Sequence, residues 1–241
     1  MPATTSKQQL LNQVLGAIAP AGEPAVPLPV LEQFIFGICR EDSTPEMALQ
    51  AYENLRSQFF DWNEIRVSSI GEIEDALAGL SDTETRANRI IAFLQDVFET
   101  NYSFNLDSIQ KKGLKDAAKN LKGLKAANDY VVAWVIQRTL GGHALPTDAA
   151  TMRVVQRLGL IDATPSEPEA VRSSLEHLVP KAKGIHFTDA ISILAEQVCW
   201  EETPRCARCP MKESCPSSQV HTVPPSEPAA SNGRSKSRTR G

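Results

Sequence analysis

Apolar residues recur at threes and fours along most of the chain, and no stretch shows sustained alternation in twos. The pattern predicts an all-α protein. A first helix is expected over residues 6–15, followed by a loop at Pro20, Gly22 and Pro24. Residues 30–39, Val-Leu-Glu-Gln-Phe-Ile-Phe-Gly-Ile-Cys, are apolar almost all round, which suits a buried helix. The charged stretch Arg40-Glu41-Asp42-Ser43 ends that run. Thr44 and Pro45 then read as cap and first turn of a helix with the apolar face Ala48, Leu49, Tyr52 and Leu55.

Further along, a loop is expected around Asp61-Trp62-Asn63, and Ser69 with Glu72 is spaced as a capping box that Gly71 weakens. Residues 81–98 form a well-patterned helix through Ala87, Ile90, Ile91, Leu94 and Phe98. Residues 106–120 carry several lysines and read as one solvated helix. Leu121-Lys122-Gly123-Leu124-Lys125 then turns the chain into a helix over residues 126–140, which Gly141-Gly142 breaks. Leu145-Pro146-Thr147-Asp148 leads into a helix over 149–158. After a turn at 165–168, helices are expected over 169–178 and 186–198, the last delivering Cys199. From Pro216 the chain becomes Ser-, Pro-, Asn- and Gly-rich and basic, the composition of a disordered tail. The expected organisation is an N-terminal helix and linker (1–24), a helical body (25–216) and a basic tail (217–241).

Composition narrows the class. With 241 residues, 41% of them hydrophobic, the chain can bury a sizeable core without a metal for bulk stability. It holds no run of about 18 apolar residues that would span a membrane. The first residues lack the basic–apolar–small order of a secretory signal, so a cytoplasmic, thiol-reducing location is expected. Net charge is −4. Arg234, Lys236, Arg238 and Arg240 against Glu227 make the last 25 residues +3, which leaves −7 for the rest. That balance argues against strong non-specific nucleic-acid affinity, while permitting a local basic face.

The candidate chemistry is concentrated near the end. Cys199, Cys206, Cys209 and Cys215 fall within 17 residues, with gaps of six, two and five residues between them. Four thiolates so close in sequence can converge on one centre, either a tetrahedral zinc ion or an iron–sulfur cluster. A reducing compartment makes disulfides the least favoured option. The fifth cysteine, Cys39, ends an apolar helix and reads as a small buried hydrophobe.

The Cys-x6-Cys-x2-Cys-x5-Cys spacing at the end of a string of helices resembles the iron–sulfur loop of the endonuclease III family, base-excision DNA glycosylases of the helix-hairpin-helix type. Leu121 to Lys125 is similar to that family's hairpin, Leu-Pro-Gly-Val-Gly. Asp148-Ala149-Ala150-Thr151-Met152-Arg153-Val154 resembles its Val-Asp-Thr-His-x-x-Arg-Val segment. The resemblance covers residues 30–216 and implies two helical lobes with a cleft between them, a 4Fe–4S cluster on the four cysteines, and a catalytic carboxylate at Asp148. It also implies DNA contact at Lys122, Gly123, Leu124 and Lys125. The implied partner is duplex DNA carrying a damaged or mismatched base, bound by a monomer in a bacterial-type cytoplasm. Arg205, Arg208 and Lys212 in the cysteine loop are further candidates for phosphate contact.

The departures are as specific. Ala127 stands where bifunctional members carry the lysine that forms a Schiff base with the sugar, so an efficient lyase step is not expected. Lys125 lies two residues away, about 200° around a helix, and should face elsewhere. Lys122 replaces the hairpin proline, Lys125 its second glycine, and Ala150 the histidine. Gly37-Ile38-Cys39 replaces the segment whose glutamine fills the gap left by a flipped base. The alternative implied by these losses is a weakly active or inactive DNA-binding homologue that keeps the scaffold. From the residues alone, Asp148 also reads as the N-cap of the helix that follows it.

Overall fold

The computed structural model describes residues 6–19, 28–162 and 168–221, and the described chain is helical throughout. Part of the expected linker, the turn at 165–168 except Pro168, and the expected tail beyond residue 221 lie outside those residues; the tail's first residues, 217–221, are described, and Ser218 is buried rather than disordered. The helices are α1 (Lys7–Ala17), α2 (Val30–Arg40), α3 (Pro45–Gln58), α4 (Trp62–Val67), α5 (Ile70–Ala76), α6 (Thr83–Asn101), α7 (Asp107–Gln110), α8 (Leu114–Lys122), α9 (Asp129–Arg138), α10 (Ala149–Arg157), α11 (Pro168–Leu178) and α12 (Gly184–Gln197).

Two separate hydrophobic cores define two lobes. The first is built around α2, which is buried on nearly every side and packs against α3, α6 and α9. Phe34 of α2 stacks on Phe93 of α6 with ring centroids 4.0 Å apart. Gly37 allows α2 and α9 to approach closely, because a Cβ there would lie 3.1 Å from Cδ1 of Trp134. The second core gathers α1, α10, α11 and α12 through residues such as Leu11, Val155, Leu175 and Ile191. Thus the first helix of the chain completes the lobe built from its last helices.

The helix boundaries follow capping chemistry. Ser6 with Gln9, and Ser69 with Glu72, form reciprocal capping boxes. Thr44 accepts from the Met47 amide at 3.1 Å, with Pro45 in the first turn. Three expectations are corrected. The stretch around Asp61-Trp62-Asn63 is the start of α4 rather than a loop, because Asp61 accepts from the Glu64 amide at 2.8 Å and Trp62 buries its ring. The single helix expected over 106–120 is two, α7 and α8, divided at residues 111–113, and the second starts at Leu114 with Gly113 as its N-cap. The helix expected from 126 begins at Asp129, because the Asn128 side chain accepts from the Val131 amide at 2.9 Å.

The lobes meet through polar side chains. Gln137 of α9 donates to Thr188 of α12 at 3.1 Å, and Arg138 pairs with Asp189 in a largely buried contact. Between α9 and α10 the chain passes Gly141, at φ +60°, and Gly142, where a Cβ would lie 2.3 Å from Ile136 Cγ2. That pair of glycines lets the chain leave one lobe close against its own helix and enter the other.

Candidate active site

A cleft of about 460 Å³ opens where the lobes meet. Arg40, Asp42 and Tyr130 line it from the first lobe, and Asp148, Arg153 and Glu196 from the second. Asp148 stands at the N-cap of α10 and is only 9% exposed. Its Oδ1 accepts from the Thr151 amide at 2.7 Å, and its Oδ2 accepts from the Asp42 amide at 3.2 Å. The contact is returned across the lobes, since Asp42 Oδ1 accepts from the Ala149 amide at 3.0 Å. The N-cap and the candidate catalytic carboxylate are therefore the same group. One oxygen serves the helix and the other the opposite lobe.

Asp42 holds a left-handed backbone conformation, φ +47°, a region that non-glycine residues enter mainly as Asn or Asp. Burial is the main reason its carboxyl is raised above the ordinary carboxylate range, and the neighbouring charge of Asp148 adds to it. Glu41 acts in the same direction, while amide bonds from Ala150 and Ala149 oppose them. Glu196 is likewise raised, by burial first and then by Glu46, with Arg40 opposing. Arg40 is buried and donates to the Ser43 carbonyl and across the lobes to Ser192 Oγ, while its guanidinium lies 5.8 Å from the Trp134 ring centroid. Tyr130 donates to the Arg40 carbonyl at 3.5 Å, and its burial pushes the phenol well above its usual range. The floor between the lobes is thus fixed by buried hydrogen bonds, and the carboxylates of Asp42, Asp148 and Glu196 line it.

The hairpin is arranged differently. Gly123 N–H donates to the Lys119 and Asn120 carbonyls, Leu124 N–H to Leu121, and Ala127 N–H to Leu124. Lys125 N–H donates to Asp96 Oδ2 at 3.1 Å. These amides, the groups with which such a hairpin would hold a phosphate, already have acceptors. The lysines are engaged too, Lys122 with Asp129 at 3.4 Å and Lys125 with Asp96 at 3.9 Å and Glu99 at 3.6 Å. Ala127 is half-buried against the first core, and among the described residues no lysine lines the cleft. Gly37, Ile38 and Cys39 are all buried in α2, so none of them reaches outward toward a partner. Burial pushes the Cys39 thiol up to about 12 despite the nearby Arg86, as suits a small buried hydrophobe.

Beyond α12, Cys199, Cys206, Cys209 and Cys215 all line a second cavity of about 120 Å³. The hydroxyl of Ser218, at the same cavity, is buried without a hydrogen-bond partner. Among the described residues, no three or more His, Cys, Asp or Glu side chains form a ready metal-ion site. The thiols are instead spread around a space several times the ~10–15 Å³ that one water-sized group needs by the same measure. Burial, and secondarily the other cysteines, raise Cys209 and Cys215 after amide bonds are allowed for. Four thiols lining one cavity are a donor set that could hold either a zinc ion or an iron–sulfur cluster.

The cysteine loop is fastened to α10. Arg153 Nε donates to the Cys199 carbonyl at 3.1 Å, and Arg157 donates to the Trp200 carbonyl at 2.5 Å and the Glu201 carbonyl at 2.6 Å. Arg205 lies over the Trp200 ring at 3.6 Å, and Arg208 is exposed. The same helix therefore carries Asp148 at one end and the cysteine loop at the other. Sequence reasoning assigned no site role to Arg40, Asp42, Tyr130 or Glu196. A charged Arg-Glu-Asp run at the end of a largely apolar helix was the only local signal for the first two.

No protein-family model matches the chain. Its fold superposes on endonuclease III in a trapped endonuclease III–DNA covalent intermediate, with a TM-score of 0.69 over 90% of this chain and 99% of that one, at 16% identity. A thermostable thymine-DNA glycosylase gives 0.64 over 90% and 99%, at 18% identity. In sequence the chain is 23% identical to the DNA glycosylase/AP lyase ROS1 of Arabidopsis thaliana over 174 residues, 64% of this chain. The aligned part covers only 12% of that plant protein's length. The chain thus resembles the endonuclease III family and has the all-helical fold of its helix-hairpin-helix glycosylases. Among the described residues no helix is long and apolar enough to cross a membrane.

Proposed function

We propose that this chain is a DNA N-glycosylase of the endonuclease III type, acting on a damaged or mismatched base in duplex DNA without an efficient lyase step. The observation that carries the proposal is Asp148, placed at the edge of the interlobe cleft with each carboxylate oxygen held by an amide. A base rotated out of the duplex enters the cleft. As the bond from sugar C1′ to the base breaks, its electron pair leaves with the base, and positive charge develops on the sugar. A carboxylate already oriented toward that charge stabilises it without reorganising during the reaction. Water then adds at C1′ and loses a proton, leaving an abasic site. An amine nucleophile would be needed to go on to strand cleavage. Ala127 cannot supply one, and among the described residues the cleft lining contains no lysine.

Cys199, Cys206, Cys209 and Cys215 would hold a 4Fe–4S cluster, with zinc as the alternative. Bound there, the group cross-links the loop after α12 and braces it against α10. Lys122, Gly123, Leu124 and Lys125 are the hairpin contact to DNA. In this chain that contact runs through the lysine side chains, whose exposed ion pairs are each worth only ~0–1 kcal/mol and yield readily to a phosphate. Arg205, Arg208 and Lys212 add to it from the cysteine loop. A monomer, located in the cytoplasm and on the nucleoid when bound to DNA, completes the proposal.

The test is incubation with a panel of duplexes carrying damaged or mismatched bases, followed by alkali. Alkali-dependent product that disappears in Asp148→Asn supports the reading, and no product across the panel defeats it. Covalent trapping with borohydride would disprove the absence of a lyase step. Absorbance near 400 nm from purified protein distinguishes the iron–sulfur cluster from colourless zinc.

A second reading, a DNA-binding homologue without catalysis, is favoured by the engaged hairpin amides and by the burial of Gly37, Ile38 and Cys39. It predicts duplex binding with no excision from any substrate.

A further inference from the structure

Six of the chain's eleven lysines lie between Lys111 and Lys125. Residues 107–125 hold them against Asp107 and Asp116, a local charge of +4 in a chain of −4. Lys122 and Lys125 belong to the hairpin and are paired with carboxylates, as described above. Lys112 donates to Asn120 Oδ1 at 2.9 Å. Lys111, Lys115 and Lys119 are exposed, and none forms an ion pair among the described residues.

These lysines share one side of the structure. At about 100° per residue, Lys115, Lys119 and Lys122 fall within about 60° of one another around α8. Ala117 and Leu121, which bury the helix against its lobe, lie on the opposite side. Lys111 sits just before α8, at the end of α7.

Helix stability does not account for the pattern. A cation in the last turn complements the helix dipole, which covers Lys119 and Lys122. Lys115 occupies the first turn, where a cation is unfavourable, and Lys111 lies beyond it. Lys115 and Lys119 are also a like-charge i,i+4 pair, which weakens a helix by a few tenths of a kcal/mol. A chain that is otherwise acidic thus holds unpaired positive charge along one helix face, which runs directly into the hairpin.

We propose that this face is a second grip on the DNA backbone, in which Lys111, Lys115 and Lys119 each meet a phosphate. The inference rests on the reading of the chain as a DNA-acting protein and adds to it a sequence-independent anchor outside the cleft. Over the two turns from Lys115 to Lys122 the helix rises about 10 Å, enough to lie along successive phosphates of one strand. The grip compensates for the occupied hairpin amides, since it supplies free charge where those amides are already bonded.

The test uses the full chain, a short undamaged duplex, and the triple variant Lys111→Gln, Lys115→Gln, Lys119→Gln, with circular dichroism confirming its fold. Each lost phosphate contact flattens the dependence of log K on log salt by about 0.9, so the slope should fall in size by roughly 2–3. Affinity at moderate salt should drop roughly 10- to 100-fold. Lys7→Gln, in the other lobe, should leave both unchanged. A triple variant with the wild-type slope overturns the proposal even where wild type excises a base. A flattened slope in a protein that excises nothing upholds the grip while the glycosylase reading fails. A wild-type chain that does not bind duplex DNA overturns both.

Discussion

The hairpin at residues 121–125 and the aspartate at 148 are the two family-like landmarks upstream of the cysteines, and the fold uses them in opposite ways. Asp148 is built in. It caps α10, accepts an amide from the other lobe, and presents its remaining surface to the cleft. The hairpin is closed off, with its amides bonded to nearby carbonyls and to Asp96 and its lysines paired with Asp129, Asp96 and Glu99. The difference teaches that a group can hold the lobes in register and still face a cleft, whereas a hairpin amide bonded within its own chain is not free for a phosphate.

The sharpest way to break this comparison is at Asp148. Asp148→Asn should lower excision by about 10²–10³-fold, because the amide keeps the side chain's shape and its cap on α10 but loses the charge. Its melting temperature should fall modestly, since Asn still caps α10 through its one oxygen but its NH2 cannot accept from the Asp42 amide, while Asp148→Ala, which also loses the cap, should cost a further ~1 kcal/mol. Single-turnover excision and thermal melts separate the two roles. An Asn variant whose folded fraction excised at the wild-type rate would show that the carboxylate is only structural.

Arg40 tests whether the cleft side depends on the lobe junction. Arg40→Met should destabilise the protein by about 2–3 kcal/mol in urea denaturation, because the acceptors it leaves on Ser43 and Ser192 are poorly supplied with other donors. Asp96→Asn tests the hairpin side. Removing that charge releases Lys125, and duplex affinity in a binding titration should rise about threefold, as the loss of an exposed ion pair allows. No gain would mean that Lys125 takes no part in DNA contact.

The smallest effect is expected at Asp42. Its carboxyl is raised in the folded protein, chiefly by burial and then by Asp148 and Glu41, so folding disfavours its ionised form. That penalty is absent below the ordinary carboxylate value of about 3.9 and grows as pH rises through the folded value. Asp42→Asn keeps an acceptor for the Ala149 amide and removes the charge. It should raise the melting temperature by about 1–2 °C at pH 7, with the gain disappearing as pH falls toward 4. A gain that persisted in acid would point to packing instead.

Much of the helical layout was legible because helices announce themselves locally. Thr44-Pro45 and Ser69-x-x-Glu72 carry their caps in sequence, and the apolar run at 30–39 could only be buried. The boundaries that were misplaced depended on one polar side chain turning back on its own backbone. Asp61 and Asn128 start helices where the apolar pattern alone suggested a loop or a continuing helix. The site was legible to the extent that a residue's type limits its chemistry. An aspartate before a helix, four close cysteines and an alanine in place of a lysine are informative without coordinates.

By itself, then, the sequence determined the all-helical class, the ordering of hairpin, aspartate and cysteines, and the absence of an amine at Ala127. Only the tertiary structure decided that Asp42 and Asp148 exchange amide bonds across the cleft, that Arg40 reaches Ser192, that Asp96 occupies the hairpin amide, and that α1 joins the last helices. The physical reason is range. Periodicity and capping act within a few residues, whereas these contacts join groups from 29 to more than 150 positions apart, whose meeting depends on how the helices pack into two cores.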